Sequence, residues 1–208
     1  MKKMIVLVAA MVLVSTAAFA AGSVVGSSHD LRAFIAGETS TQVCVYCHTP
    51  HQSTGNTIDP LWNHTMSAQA TYGVYSSTTM NAIPVDVAGG TSTSNLCMSC
   101  HDGTVAVNAL FKQPLDGTSG TLISITGTAL IGTDLTNDHP INFTYDATLA
   151  TADGALTTPT SASAVGVLPL YGATVQCASC HAVHDPTNAP FLRISNSASA
   201  LCLVCHIK

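Results

Sequence analysis

Hydrophobic and polar positions keep no sustained period over most of this 208-residue chain. The exception is an unbroken apolar run at residues 4–14, preceded by Lys2 and Lys3 and followed by Ala18-Phe19-Ala20. A basic start, a short apolar stretch and a small-x-small end make an export signal at 1–20, with cleavage before Ala21. The run is too short for a bilayer span, and no later stretch is long and apolar enough for one. Downstream, short helices are expected around 95–101 and 200–206, with one more helical turn at 31–36. Residues 121–130 alternate weakly in a strand-like way, and Gly127 interrupts them. Stretches at 88–94, 116–120 and 151–165, rich in Gly, Ser, Thr and Ala, are expected loops. The expected fold class is mostly irregular, with short α-helices and little β-structure. So much loop in one chain requires a bound group to organise it.

Composition sharpens this picture. The chain is 47% hydrophobic but only 8% charged and 5% aromatic. Ser and Thr make up roughly a fifth of it, and its aromatics are few for a self-sufficient core of this size. With Lys+Arg 6 against Asp+Glu 11, no basic patch for nucleic acid can form. Charge is also too sparse for a charged disordered tail. The formal charge is −5, and removing Lys2 and Lys3 with the signal leaves −7. The mature chain, 21–208, is therefore an acidic exported protein.

All eight cysteines fall into one pattern that occurs four times: Cys44-Val-Tyr-Cys47-His48, Cys97-Met-Ser-Cys100-His101, Cys177-Ala-Ser-Cys180-His181 and Cys202-Leu-Val-Cys205-His206. C-x-x-C-H is the attachment site of c-type haem. Two cysteines one short turn apart reach the two vinyl groups on one edge of the porphyrin, and the next residue swings a ring nitrogen to the iron. Disulfides and C-x-x-C zinc pairs do not explain a histidine after every pair. A thiol redox C-x-x-C occurs once, near a βαβ pattern. At the chain's own histidine frequency, four such histidines arise by chance with odds of roughly 3 in a million. Four covalently attached haem c groups are expected in a single domain, 21–208, and they supply the missing apolar bulk.

With His48, His101, His181 and His206 as proximal ligands, five histidines remain: His29, His51, His64, His139 and His184. Methionine is the rival sixth ligand, but only Met66, Met80 and Met98 follow the signal, and Met98 lies inside a C-x-x-C loop. All five histidines are therefore candidate distal ligands, and bis-histidine irons favour electron transfer over substrate chemistry. His51 and His184 each follow a motif histidine by three residues. From there they reach the iron of a neighbouring haem more easily than the far face of their own. Trp62 is expected against a haem or in ordinary core. Asp102 and Asp185 could bond an imidazole or cap a turn. There is no Gly-rich phosphate loop, no nucleophile elbow and no motif with its histidine replaced, so no catalytic residue is assigned.

These residues carry a resemblance. His29-Asp30-Leu31, Cys44 to His48-Thr49-Pro50-His51, Pro60-Leu61-Trp62-Asn63-His64, His101-Asp102-Gly103-Thr104-Val105-Ala106, Asp138-His139-Pro140-Ile141 and His181 to Val183-His184 look like the bacterial multihaem c-type cytochromes. Within that group the chain most resembles tetrahaem outer-surface cytochromes of metal-reducing bacteria, whose subunits polymerise into extracellular nanowires. The resemblance runs from His29 to His206. It implies electron transfer through closely packed haems, with copies of the chain itself, other cytochromes or extracellular electron acceptors as partners. It also implies that a histidine placed as His51 is can ligate a haem of the next subunit. The alternatives are a soluble periplasmic tetrahaem shuttle and a multihaem reductase. The small Lys-rich periplasmic tetrahaem cytochromes fit poorly, because this chain is longer and acidic.

Overall fold

The computed structural model describes residues 23–207, apart from 52, 54–58, 60, 89–91 and 118–119. The expected export signal at 1–20 lies outside the described residues. Regular structure is short and scattered, as expected. The α-helices are α1 (Ser94–His101), α2 (Ala147–Asp153) and α3 (Cys177–Cys180). Single 3-10 turns occupy Leu31–Phe34, Val43–Tyr46, Gly127–Ala129, Ser197–Ser199 and Cys202–Val204. Among the described residues, six two-residue strands pair off separately. β1 (Gly73–Val74) runs parallel to β2 (Asp134–Leu135), β3 (Phe143–Thr144) antiparallel to β6 (Thr174–Val175), and β4 (Ala164–Val165) antiparallel to β5 (Leu168–Pro169). Among the described residues, no helix is long and apolar enough to cross a membrane.

Two apolar clusters organise these pieces. Phe143, Tyr145, Val165, Leu168, Leu170 and Val175 form one, and Leu201, Val204 and Cys205 of the C-terminal motif pack against it. Tyr72, Val87, Met98 and Leu135 form the other. Met98 is 1% exposed, so one of the two residues between Cys97 and Cys100 is a core anchor that fixes α1 to the body of the protein. Buried polar side chains join segments that carry too few apolar residues to join themselves. Asn63 is wholly buried; its Nδ2 donates to the carbonyls of Val45 and Lys112, and its Oδ1 accepts from Lys112 N at 2.8 Å.

Two expectations about local structure fail, and the helix expected around 200–206 is only the 3-10 turn Cys202–Val204. Residues 121–130 form no strand. Gly127, at φ 66°, turns the chain into a 3-10 turn, and Ile123 instead lies along Val107 and Asn108, with Val107 N donating to Ile123 O at 2.8 Å. A weak alternation with no hydrophobic face to bury has nothing to hold it extended. The expected loop at 151–165 begins inside α2 and ends in β4. Local chemistry explains the helix. Asp146 caps its N-terminus by accepting from Leu149 N at 2.8 Å, alanines fill it, and Gly154 ends it at φ 74°.

Candidate functional site

The C-x-x-C-H motifs share one local turn. The histidine N–H donates back to the carbonyl of the first cysteine, at 2.8 Å for His48 and Cys44, 3.0 Å for His181 and Cys177, and 2.9 Å for His206 and Cys202. The motif at 97–101 lies wholly within α1. That turn sets both sulfurs and the imidazole on one short stretch of backbone. A second segment then pins each motif histidine: Trp62 bridges to His48, Leu192 to His181 and Leu156 to His206. The His101 carbonyl accepts from Ile131 N at 2.9 Å and Gly132 N at 3.1 Å. Directly after His101 and Asp102, Gly103 adopts φ +77°, and a Cβ there would stand 2.5 Å from Leu130 Cδ1.

The imidazoles of His48, His101 and His181 are oriented for ligation. His101 donates through Nδ1 to the Ala129 carbonyl at 2.7 Å, and His181 through Nδ1 to the Pro190 carbonyl at 2.9 Å. His48 Nδ1 lies 3.4 Å from Asp59 Oδ2. An oxygen partner on Nδ1 fixes the tautomer and leaves the Nε2 lone pair for a metal. All eight cysteines are unbridged, and among the described residues no three His, Cys, Asp or Glu side chains converge as a closed zinc cluster would require. Burial pushes the Cys47 thiol up to about 11 and the Cys100 thiol up to about 12. The Cys97 and Cys177 thiols share a hydrogen bond, which raises Cys97 and lowers Cys177 to about 7. Sulfurs of two motifs therefore meet where α1 packs on α3. The residues present fit covalent haem: paired free sulfurs and, beside them, an oriented histidine.

The five other histidines divide. His29 is half-buried. The ring of Phe191 stands edge-on to it at 4.5 Å, and its buried Nδ1 has no hydrogen-bond partner among the described residues. Burial, followed by the nearby His101, His181 and His184, lowers its pKa to about 4, so the ring is in the neutral form that ligates metal. Asp30 anchors the turn that carries it. Its carboxylate takes Arg32 Nε and an Arg32 terminal nitrogen at 2.7 Å each and Gly26 N at 2.9 Å, and is lowered to about 2 by the Arg32 bond first. His139 is exposed and donates through Nδ1 to the Pro140 carbonyl at 2.8 Å. His184 and His51 are exposed. His64 is wholly buried, with Nδ1 2.8 Å from the Thr65 carbonyl and Nε2 2.9 Å from the Ala106 carbonyl. Among the described residues, histidine rings meet in three places: His48 with His184 at 6.4 Å, His29 with His101 at 6.2 Å, and His139 with His206 at 6.4 Å between centroids.

The neighbours of the motifs resolve further expectations. Trp62 stands edge-on to His48, with centroids 5.9 Å apart. Asp102 is buried and does not bond an imidazole; its carboxylate accepts from Ser67, Tyr72 and Thr104, including Tyr72 OH at 2.7 Å and Thr104 N at 2.7 Å. Asp185 closes a turn on Thr187 N at 3.0 Å. Gln176 and Arg193 escaped the sequence reading. Gln176 links α1 to α3, and Arg193 donates through Nε to Ala178 O at 2.7 Å, inside the third motif. The bonds of Gln176 to Ser92 and Ser94 and of Arg193 to Ala178 join segments that no local pattern connects.

Residues 172–208 match the family model described as the doubled CXXCH motif, a stretch that takes in the motifs at 177–181 and 202–206. None of the curated proteins compared with the chain matches it. The doubled motif implies covalently bound c-type haem, and with it an electron-transfer protein of the multihaem c-type cytochrome kind.

Proposed function

We propose that the chain is an exported tetrahaem cytochrome c that conducts electrons without substrate turnover and assembles with copies of itself into an extracellular filament. The observation that carries this reading is the repeated turn. The motifs at 44–48 and 97–101, outside the family match, have the same oriented cysteine–histidine geometry as those inside it. Cys44, Cys47, Cys97, Cys100, Cys177, Cys180, Cys202 and Cys205 hold the haems, and His48, His101, His181 and His206 are the proximal ligands. Bound haem iron supplies a one-electron ferric–ferrous couple. The chain's own residues space the haems, exclude water and close the irons with histidine, so each site passes an electron and binds nothing else.

The filament reading rests on His51. It is exposed, stands three residues after His48, and is one of five distal candidates for four irons. Supplied to a haem of a neighbouring subunit, it makes the polymer contact a coordination bond and keeps the path of electron hops unbroken between subunits. Electron microscopy of the secreted fraction tests this, with His51→Ala compared alongside. Filaments from the parent, and from the variant only monomers carrying four haems of which one is high-spin, are expected. Normal filaments from the variant with every haem still low-spin refute the His51 contact, and a monomeric parent returns the reading to a periplasmic shuttle. Carbon monoxide binding stoichiometrically to one reduced haem would reveal an open site and contradict pure conduction.

A further inference from the structure

Each of the three histidine contacts joins one motif histidine to one histidine outside the motifs: His48 with His184, His101 with His29, and His206 with His139. No histidine is used twice. Ordinary aromatic pairs also lie at these distances, so separation alone does not decide. Combination does. Rings gathered by general packing would be free to pair motif with motif or to share a partner. The separations also agree with one specific arrangement. Two imidazoles on opposite faces of one iron have centroids about 6.3 Å apart, from a metal–nitrogen bond of about 2.0 Å and about 1.1 Å from nitrogen to ring centre on each side. The three pairs measure 6.2, 6.4 and 6.4 Å.

We infer that these pairs are the axial ligand pairs of three haems. His184 closes the iron of the Cys44/Cys47 haem, His29 that of the Cys97/Cys100 haem, and His139 that of the Cys202/Cys205 haem. The inference rests on the haem reading above and adds the pairing, which no spacing in the sequence contains. It fixes neighbourhood as well. His181 and His184 are three residues apart, so the Cys44/Cys47 and Cys177/Cys180 haems take ligands from one short loop and lie side by side. α1 packs on α3, which brings the second haem against the third. The Cys177/Cys180 haem is then the one left for His51 or His64. His64 sits with both ring nitrogens on carbonyls.

The test uses the haem-loaded mature protein, its attached haems counted and their spin states read by resonance Raman and electron paramagnetic resonance. His184→Ala should turn one haem in four high-spin. In a Cys44→Ala, Cys47→Ala protein, which lacks the first haem, the same change should add no high-spin haem, whereas His29→Ala and His139→Ala should each still add one. A high-spin haem created by His184→Ala in the protein without its first haem overturns the pairing. Where the cysteine variants fail to accumulate, a structure of the parent holoprotein reads the ligands directly. Iron between His48 and His184 upholds the assignment, and any other residue opposite His48 overturns it. A parent without covalently attached haem overturns the haem reading and the pairing together; four low-spin haems with mismatched variant responses overturn the pairing alone.

Discussion

Replacing Gln176 by alanine should destabilise the protein by about 3–5 kcal/mol, because the side chain is the polar joint between two motifs. Its Oε1 accepts from Ser92 Oγ at 2.6 Å, Ser94 Oγ at 2.6 Å and Ser94 N at 3.2 Å. Its Nε2 donates to Asn142 Oδ1 at 2.8 Å and Thr174 Oγ1 at 2.7 Å. Ser94 Oγ in turn accepts from Cys177 N at 3.0 Å, so α1 and the start of α3 are tied through one buried cluster. Gln176 is 3% exposed, Ser92 3% and Ser94 0%. Truncation strips Ser92 and Ser94 of their shared acceptor where water does not reach, and each buried group left unsatisfied costs about 1–3 kcal/mol. Against a typical total stability of about 5–15 kcal/mol the effect is large. Guanidinium unfolding of the holoprotein, followed by circular dichroism, measures it as a lowered midpoint at unchanged slope. Gln176→Glu keeps the acceptor but loses both amide donors and buries a charge, so it should cost at least as much. A loss below about 1 kcal/mol in both variants would refute the reasoning, since the five bonds would then contribute almost nothing net.

Leu168→Ala, at a site 3% exposed in the C-terminal cluster, should cost about 2–5 kcal/mol by the same assay, and a change under about 1 kcal/mol would mean that the cluster collapses around the cavity. Asp116 holds its carboxylate down to about 2 through Ser40 Oγ at 2.7 Å and the backbone and hydroxyl of Thr41 at 3.1 and 2.8 Å. Its contribution is therefore complete above the unfolded carboxylate pKa and is lost as pH falls toward 2; Asp116→Asn should flatten the acid limb of a stability–pH curve, and an unchanged limb would rule the contribution out. Cys97→Ala with Cys100→Ala should remove one haem by mass and most of the stability, because loops without their cofactor cannot offset the entropy of ordering. A protease-resistant, well-folded apoprotein would contradict that.

Much of the local structure was legible because it is decided within a few residues. A helix at 95–101 and a turn at 31–36 appear as α1 and the Leu31–Phe34 turn. The fold class, loop-rich with short helices and little β, follows from the missing hydrophobic period. The helix at 147–153 was not legible among threonines and alanines, since its limits lie in Asp146 and Gly154 rather than in any apolar stripe. Asp102 was legible in part. The turn its place in the sequence suggests is there, closed by Thr104 N at 2.7 Å, while Ser67 and Tyr72, far back in the chain, bond the other carboxylate oxygen, which no local pattern announces.

The sequence by itself determined the chemistry. Two cysteines and a histidine in five residues can close only a small set of turns, so the turn that sets the sulfurs beside the imidazole is complete within each motif whatever surrounds it. Only the tertiary structure decided which histidine ring meets which. His29 meets His101, and His184 meets His48, across stretches of chain whose spacing carries no sign of the meeting. Such pairings follow from how Met98, the two apolar clusters and the buried amides of Asn63 and Gln176 fold distant segments together. A turn is settled by the backbone bonds within it. A pairing is settled by the free energy of burying side chains that lie far apart along the chain, and no single stretch of sequence contains that sum.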